Sequence, residues 1–197
     1  MSKMEPIGIL GAAPGRGDGI GKSILEKLVK EHNAVHVFGR SKDKIHELCK
    51  TFDTVKGSHV WDLRDESRAE SYQKYLSEND IGAVISTVGA GVANPIPFLS
   101  QGELTEMVEA NLVSPFMILK HSLLPLKQLN GGRVIIFGSI TSIKAEEGAS
   151  GYTATKMAIR GMIEAARREL KSGFQMVSVH GVYTGSMRKV GIASVLE

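Results

Sequence analysis

The chain has 197 residues, 42% hydrophobic and 23% charged, with a formal net charge of +3 and a mean hydropathy of −0.03; that suits a single domain over 1–197, since domains run to roughly 100–200 residues. Lys and Arg are scattered without the basic stripe that nucleic acid needs, Cys49 is alone and permits no intrachain disulfide, and the six histidines show no paired metal-ligand spacing, so neither nucleic acid nor a metal is expected. No run approaches the ~18 apolar residues of a membrane span, and MSKMEPIGIL lacks the apolar core of a signal peptide, so the expectation is a cytoplasmic protein without membrane contact.

In chain order, short apolar runs alternate with longer helical patterns. Candidate strands are Ile7–Leu10, Ala34–Phe38, Val55–Val60, Ala83–Thr87, Val134–Phe137 and Met176–Val179, each rich in β-branched residues as buried parallel strands are. Helical patterns lie near 19–32, 42–51, 66–79, 102–129 and 152–171. Alternation of this kind predicts an α/β fold, a Rossmann-like three-layer, doubly wound parallel sheet with right-handed crossovers. Within 115–129, Ser114 reads as an N-cap and Pro115 as the first turn. In 152–171, Ile159, Ile163, Ala166 and Leu170 form one apolar face, and Ala154, Ala158, Gly161 and Ala165 form a second face of small residues. A helix packed only on a sheet needs one such face. Two imply another covering surface, either a neighbouring helix or a second subunit, and a homodimer is the expectation.

The first strand runs into GAAPGRGDGIGKS, residues 11–23. The ending suggests a P-loop, but five positions before Gly21 stands Arg16 rather than glycine, and the dinucleotide spacing G-x-G-x-x-G also fails. G-x-x-x-G-x-G fits, at Gly15, Gly19 and Gly21. A glycine loop that opens the first helix offers backbone N–H groups to a pyrophosphate, and Arg16 could reach a phosphate as well. After the second strand, Phe38-Gly39-Arg40-Ser41 holds no acid to accept from a ribose 2′-hydroxyl; Arg40 suits a 2′-phosphate instead, or is an ordinary surface arginine. After the third, Asp62 either accepts from an adenine amino group or caps the next turn.

Further on, Tyr152 and Lys156 stand four apart in SGYTATKMA, on one helix face. A tyrosine hydroxyl, ordinarily near pKa ~10, needs about 4 kcal/mol of phenolate stabilisation to act near neutrality, and a nearby ammonium in a dry cleft can supply much of that. Thirteen positions before Tyr152, Ser139 ends the strand VIIFGS, where its hydroxyl could meet a carbonyl oxygen as charge grows on it. A Tyr-x-x-x-Lys pair alone is also a common helical surface pair.

Taken together, these residues resemble the short-chain dehydrogenase/reductase family along nearly the whole chain. Gly15, Gly19, Ile20 and Gly21 look like its cofactor loop, Asp62 and Leu63 its adenine-contacting pair, and Asn111 in EANLVSPF its proton-relay asparagine. Ser139, Tyr152 and Lys156 match its catalytic residues in type, order and spacing. The resemblance implies hydride transfer between a nicotinamide and a small-molecule carbonyl or alcohol. Tyr152 would be the general acid or base and Ser139 would polarise the substrate oxygen. Lys156 would bind the nicotinamide ribose and favour the phenolate, and Asn111 would hold a water. Arg40 points to NADP(H) over NAD(H).

Three features depart from the family pattern. The first glycine could be Gly11, with Gly15 in an insertion. Ser86-Thr87-Val88-Gly89 replaces Asn-Asn-Ala-Gly but keeps Gly89, and His180-Gly181 replaces Pro-Gly. The chain also stops soon after Ser186-Met187, so the fold is expected to be truncated at its C-terminal end, without most of a substrate lid. A non-catalytic dinucleotide-binding protein is the alternative reading.

Overall fold

Residues 7–10, 35–38 and 83–86 are buried at every position, as strands covered on both faces of a sheet are. The computed structural model describes residues 5–13, 19–31, 34–172 and 177–185. Its strands are β1 (Ile7–Leu10), β2 (Val35–Gly39), β3 (Val55–Val60), β4 (Ala83–Ser86), β5 (Gly132–Phe137) and β6 (Val177–Val182). All pair in parallel, in the order β3-β2-β1-β4-β5-β6. This is the Rossmann order, with the reversal between β1 and β4. The candidate strand Met176–Val179 begins at a residue outside the described segments.

Each face has its own core. Ile7, Ile9, Val35, Val37, Ala83 and Ile85 pack under α1 (Ile20–Glu31) and α2 (Lys42–Thr51). Leu10, Phe38, Val84, Val134 and Ile136 alternate with them and face α3 (Glu66–Glu78), the long helical stretch from residue 101, and α6 (Ser150–Glu169). On that second face Tyr72 is fully buried, and its hydroxyl lies 3.0 Å from Ser122 Oγ. Ser122 gives its own proton to the Ile118 carbonyl, so Tyr72 is the donor.

The helical stretch read from the sequence as 102–129 departs from expectation at its middle. It starts with α4 (Gln101–Val108), capped by Ser100, whose hydroxyl accepts from the Glu103 N–H while the Glu103 carboxylate accepts from the Ser100 N–H. It then widens into a π-helical turn, Glu109–Val113, before continuing as α5 (Ser114–Gln128). Ser114 is therefore not an N-cap: its hydroxyl donates to the Glu109 carbonyl at 2.9 Å from inside a continuous helix. Pro115 supplies the physical reason. It has no N–H for the carbonyl of Asn111 four residues back, so the regular ladder cannot pass through it.

Candidate active site

Gly11, directly after β1, has φ +82°, a conformation that favours glycine. Gly21 in the first turn of α1 packs against it: a Cβ on Gly21 would run into the Gly11 carbonyl and sit 2.5 Å from Thr87 Oγ1. Thr87 follows β4, and its hydroxyl donates to the Leu10 carbonyl at 3.0 Å. It thereby ties the ends of β1 and β4 together at the reversal of strand order, where ligands bind in sheets of this type.

Two cavities meet there. The smaller, about 340 Å³, is lined by Gly11, Arg40, Ser41, Lys44, Trp61, Asp62 and Leu63. The larger, about 760 Å³, is lined by Ile20, Ser139, Tyr152 and Lys156, with the 144–147 segment at its rim. Thr87, Val88 and Gly89 belong to both walls. Gly19 lines neither cavity; its carbonyl accepts from the N–H groups of Lys22 and Ser23 as α1 begins. Gly15 and Arg16 lie outside the described residues.

Within the larger cavity, Ser139 Oγ accepts from the Thr141 N–H at 3.2 Å, which leaves its own proton to donate. Lys156 Nζ lies 5.6 Å from the centroid of the Tyr152 ring. A Cβ on Gly89 would sit 3.1 Å from that ammonium and 3.0 Å from Asn111 Oδ1, so any larger residue there would make these groups give by a few tenths of an ångström. Lys156 is 4% exposed, and burial pushes its ammonium down to about 8. It keeps its proton at neutral pH.

Asn111 lines neither cavity. Its amide donates to the Ala90 carbonyl at 2.7 Å and to Thr155 Oγ1 at 3.0 Å, while its oxygen accepts from the Ala90 N–H at 2.9 Å. Thr155 in turn donates to the Tyr152 carbonyl at 2.8 Å. The side chain is thus engaged in tethering the β4 loop to α6.

Sequence reasoning missed several contributors. Thr87 and Thr155 carry no motif of their own. Arg64, two residues past Asp62, grips that carboxylate and holds it well below the usual carboxylate range. Ser41, read only as Arg40's neighbour, accepts from the Lys44 N–H as N-cap of α2, placing Ser41 and Lys44 beside Arg40.

Residues 13–194 match the short chain dehydrogenase family, and the chain belongs to it. It is an oxidoreductase family whose members bind a nicotinamide dinucleotide. Among curated relatives, a 3α-hydroxysteroid dehydrogenase of Mediterraneibacter gnavus is 25% identical over 187 residues, 91% of this chain and 74% of the relative. A short-chain dehydrogenase/reductase from Vibrio parahaemolyticus superposes with a TM-score of 0.83 at 24% identity, covering 92% of this chain and 85% of that one. An alcohol dehydrogenase from Thermococcus sibiricus, solved with 5-hydroxy-NADP, superposes at 0.78 with 26% identity, over 92% and 76% of the two chains. No helix among the described residues is long and apolar enough to cross a membrane, and none of their His, Cys, Asp and Glu side chains cluster to hold a metal ion.

The burial of Lys156 has a consequence for stability. With a folded value near 8 against an ordinary 10.5, the unfolded chain binds the extra proton between those limits, so this residue's contribution rises with pH from about 8 to 10.5 and is lost as pH falls through 8. Denaturant titrations of the parent and Lys156→Met across that range should show the parent gaining stability relative to the variant as pH rises. Parallel curves would contradict a desolvated ammonium.

Proposed function

We propose that this protein is an NADP(H)-dependent oxidoreductase acting on a small carbonyl or alcohol compound, working as a ketoreductase in the reducing direction. The observation that carries the reading is the convergence of Ser139, Tyr152 and Lys156 on one cleft that continues, past Gly89, into a pocket lined by Arg40, Ser41 and Lys44. The residues fit such a cofactor: the Gly11–Gly21 approach clears side chains from the crossing of β1 and α1, and both cavities open from the loop after β4. Arg40, Lys44 and the N-terminus of α2 would hold a 2′-phosphate, and Lys156 a nicotinamide ribose.

When bound, the reduced nicotinamide supplies the hydride that reaches the carbonyl carbon. The chain's own groups handle the oxygen. Ser139 donates to it and orients the carbonyl, and Tyr152 gives it a proton as charge develops there. The Lys156 ammonium stabilises the phenolate that Tyr152 leaves behind, and a water on the Asn111 carbonyl can return the proton. The names of the hydroxysteroid and alcohol dehydrogenase relatives agree with carbonyl–alcohol chemistry.

A screen of ketones with NADPH, read at the nicotinamide absorbance, should find turnover in the parent. Tyr152→Phe should lower it by ~10²–10⁴-fold, the usual loss for general acid–base catalysis, with NADPH affinity retained. Turnover surviving within about threefold, far short of that loss, would overturn the catalytic assignment. Dinucleotide binding without turnover in the parent would point to a binding protein instead.

We further propose a homodimer through α5 and α6. The small-residue face of α6 (Ala154, Ala158, Gly161 and Ala165) is exposed, beside Met157. On α5, Phe116 and Leu124 are about half exposed, at 50% and 49%. Light scattering at micromolar concentration should give twice the chain mass; a stable monomer would contradict the proposal.

A further inference from the structure

We infer that Arg64 is a specificity-determining residue: it cancels the charge of Asp62 and so lets the adenine-side pocket accept a 2′-phosphate. The inference rests on the NADP(H) reading above. Asp62 is the one acidic side chain among the described residues that line the smaller cavity, and it shares that wall with Arg40, Ser41 and Lys44. An unanswered carboxylate there would repel a nearby phosphate and would draw Arg40 toward itself.

Arg64 is not among the residues that line the cavity. It reaches Asp62 from outside the wall and occupies both carboxylate oxygens. Nε donates to Oδ1 at 2.8 Å and to Oδ2 at 3.1 Å, Nη2 pairs with Oδ2, and the Arg64 backbone N–H donates to Oδ1 at 3.1 Å. This planar two-pronged grip is one that arginine makes and lysine does not. The remaining arm, Nη1, pairs with Glu109, the first residue of the π-helical turn that carries Asn111. The guanidinium is thereby held against Asp62 by a second anchor on a different element. Arg40 is left to face the ligand.

Any contact between Asp62 and an adenine amino group is common to NADPH and NADH, so it drops out of the ratio of their affinities. The charge of Asp62 does not, because only NADPH carries the 2′-phosphate. A purely structural role for Arg64 would weaken both cofactors alike. Trp61, the chain's single tryptophan, lines the same cavity, so its fluorescence reports occupancy directly.

The test is a titration of the full chain with NADPH and with NADH, followed at Trp61. Arg64→Met should weaken NADPH relative to NADH by about fivefold at low salt, the upper range for a partly exposed ion pair. That difference should fade toward 1 M salt as screening shortens to ~3 Å. Adding Asp62→Asn to Arg64→Met should restore the parent's ratio. Asp62→Asn alone, with Arg64 intact, should raise the preference for NADPH, which keeps the inference open to refutation should Arg64→Met fail to fold. Equal weakening of both cofactors, or a ratio that Asp62→Asn fails to move in either background, would overturn it. A parent with equal affinity for both cofactors counts against Arg40 as selector, whereas the change in ratio on removing Arg64 decides the present inference.

Discussion

The carboxamide of Asn111 is the contact on which the site's geometry depends. It is fully buried, and both of its protons and its oxygen are engaged with the Ala90 backbone and the Thr155 hydroxyl. Ala90 belongs to the loop after β4, at the cofactor end of the sheet, and Thr155 lies between Tyr152 and Lys156 on α6. One side chain thus ties the loop shared by both cavities to the helix that carries Tyr152 and Lys156. An unpaired buried amide costs roughly 1–3 kcal/mol, so a shift of either element away from Asn111 is opposed directly.

Electrostatics follow from that packing. Gly89 stands against Lys156, and the burial that lowers the ammonium's proton affinity also strengthens its field at the neighbouring Tyr152 ring. The adenine end is organised differently, by exposed charges in sequence: Arg40 toward the cavity, Asp62 in its wall, Arg64 behind it and Glu109 beyond. Those pairs are solvent-screened and individually weak. Their value lies in which charge a ligand meets.

Strands were legible as short β-branched runs such as Ile7–Leu10, which burial on both faces demands, and helix faces because period 3.6 is imposed by burial itself, as at Ile159 and Ile163 on α6. Tyr152, Lys156 and Ser139 were readable because helix geometry and strand ends translate spacing into position. The join at 109–113 was not, since Ser114-Pro115 has the chemistry of a helix start, and only the packing of α4 and α5 as one continuous rod makes it a π-helical turn. In the glycine loop, spacing alone did not separate Gly19, where an added Cβ would meet none of the described residues within 4 Å, from Gly21, where it would run into Gly11 and Thr87. Arg64 and Thr87 were hidden for a related reason. Their partners, Glu109 and Leu10, are 45 and 77 residues away.

The claim that Asn111 joins the β4 loop to α6 is tested most directly at the Ala90 amide, whose proton the Asn111 oxygen accepts. Residue-resolved hydrogen exchange on the parent and on Asn111→Ala, compared under conditions where both are folded, should find that proton protected in the parent and exchanging at least about tenfold faster in the variant, as loss of about 1.4 kcal/mol of local stability requires. Thr155 and Lys156 amides should speed up with it. Equal protection of Ala90 in both proteins would contradict the account.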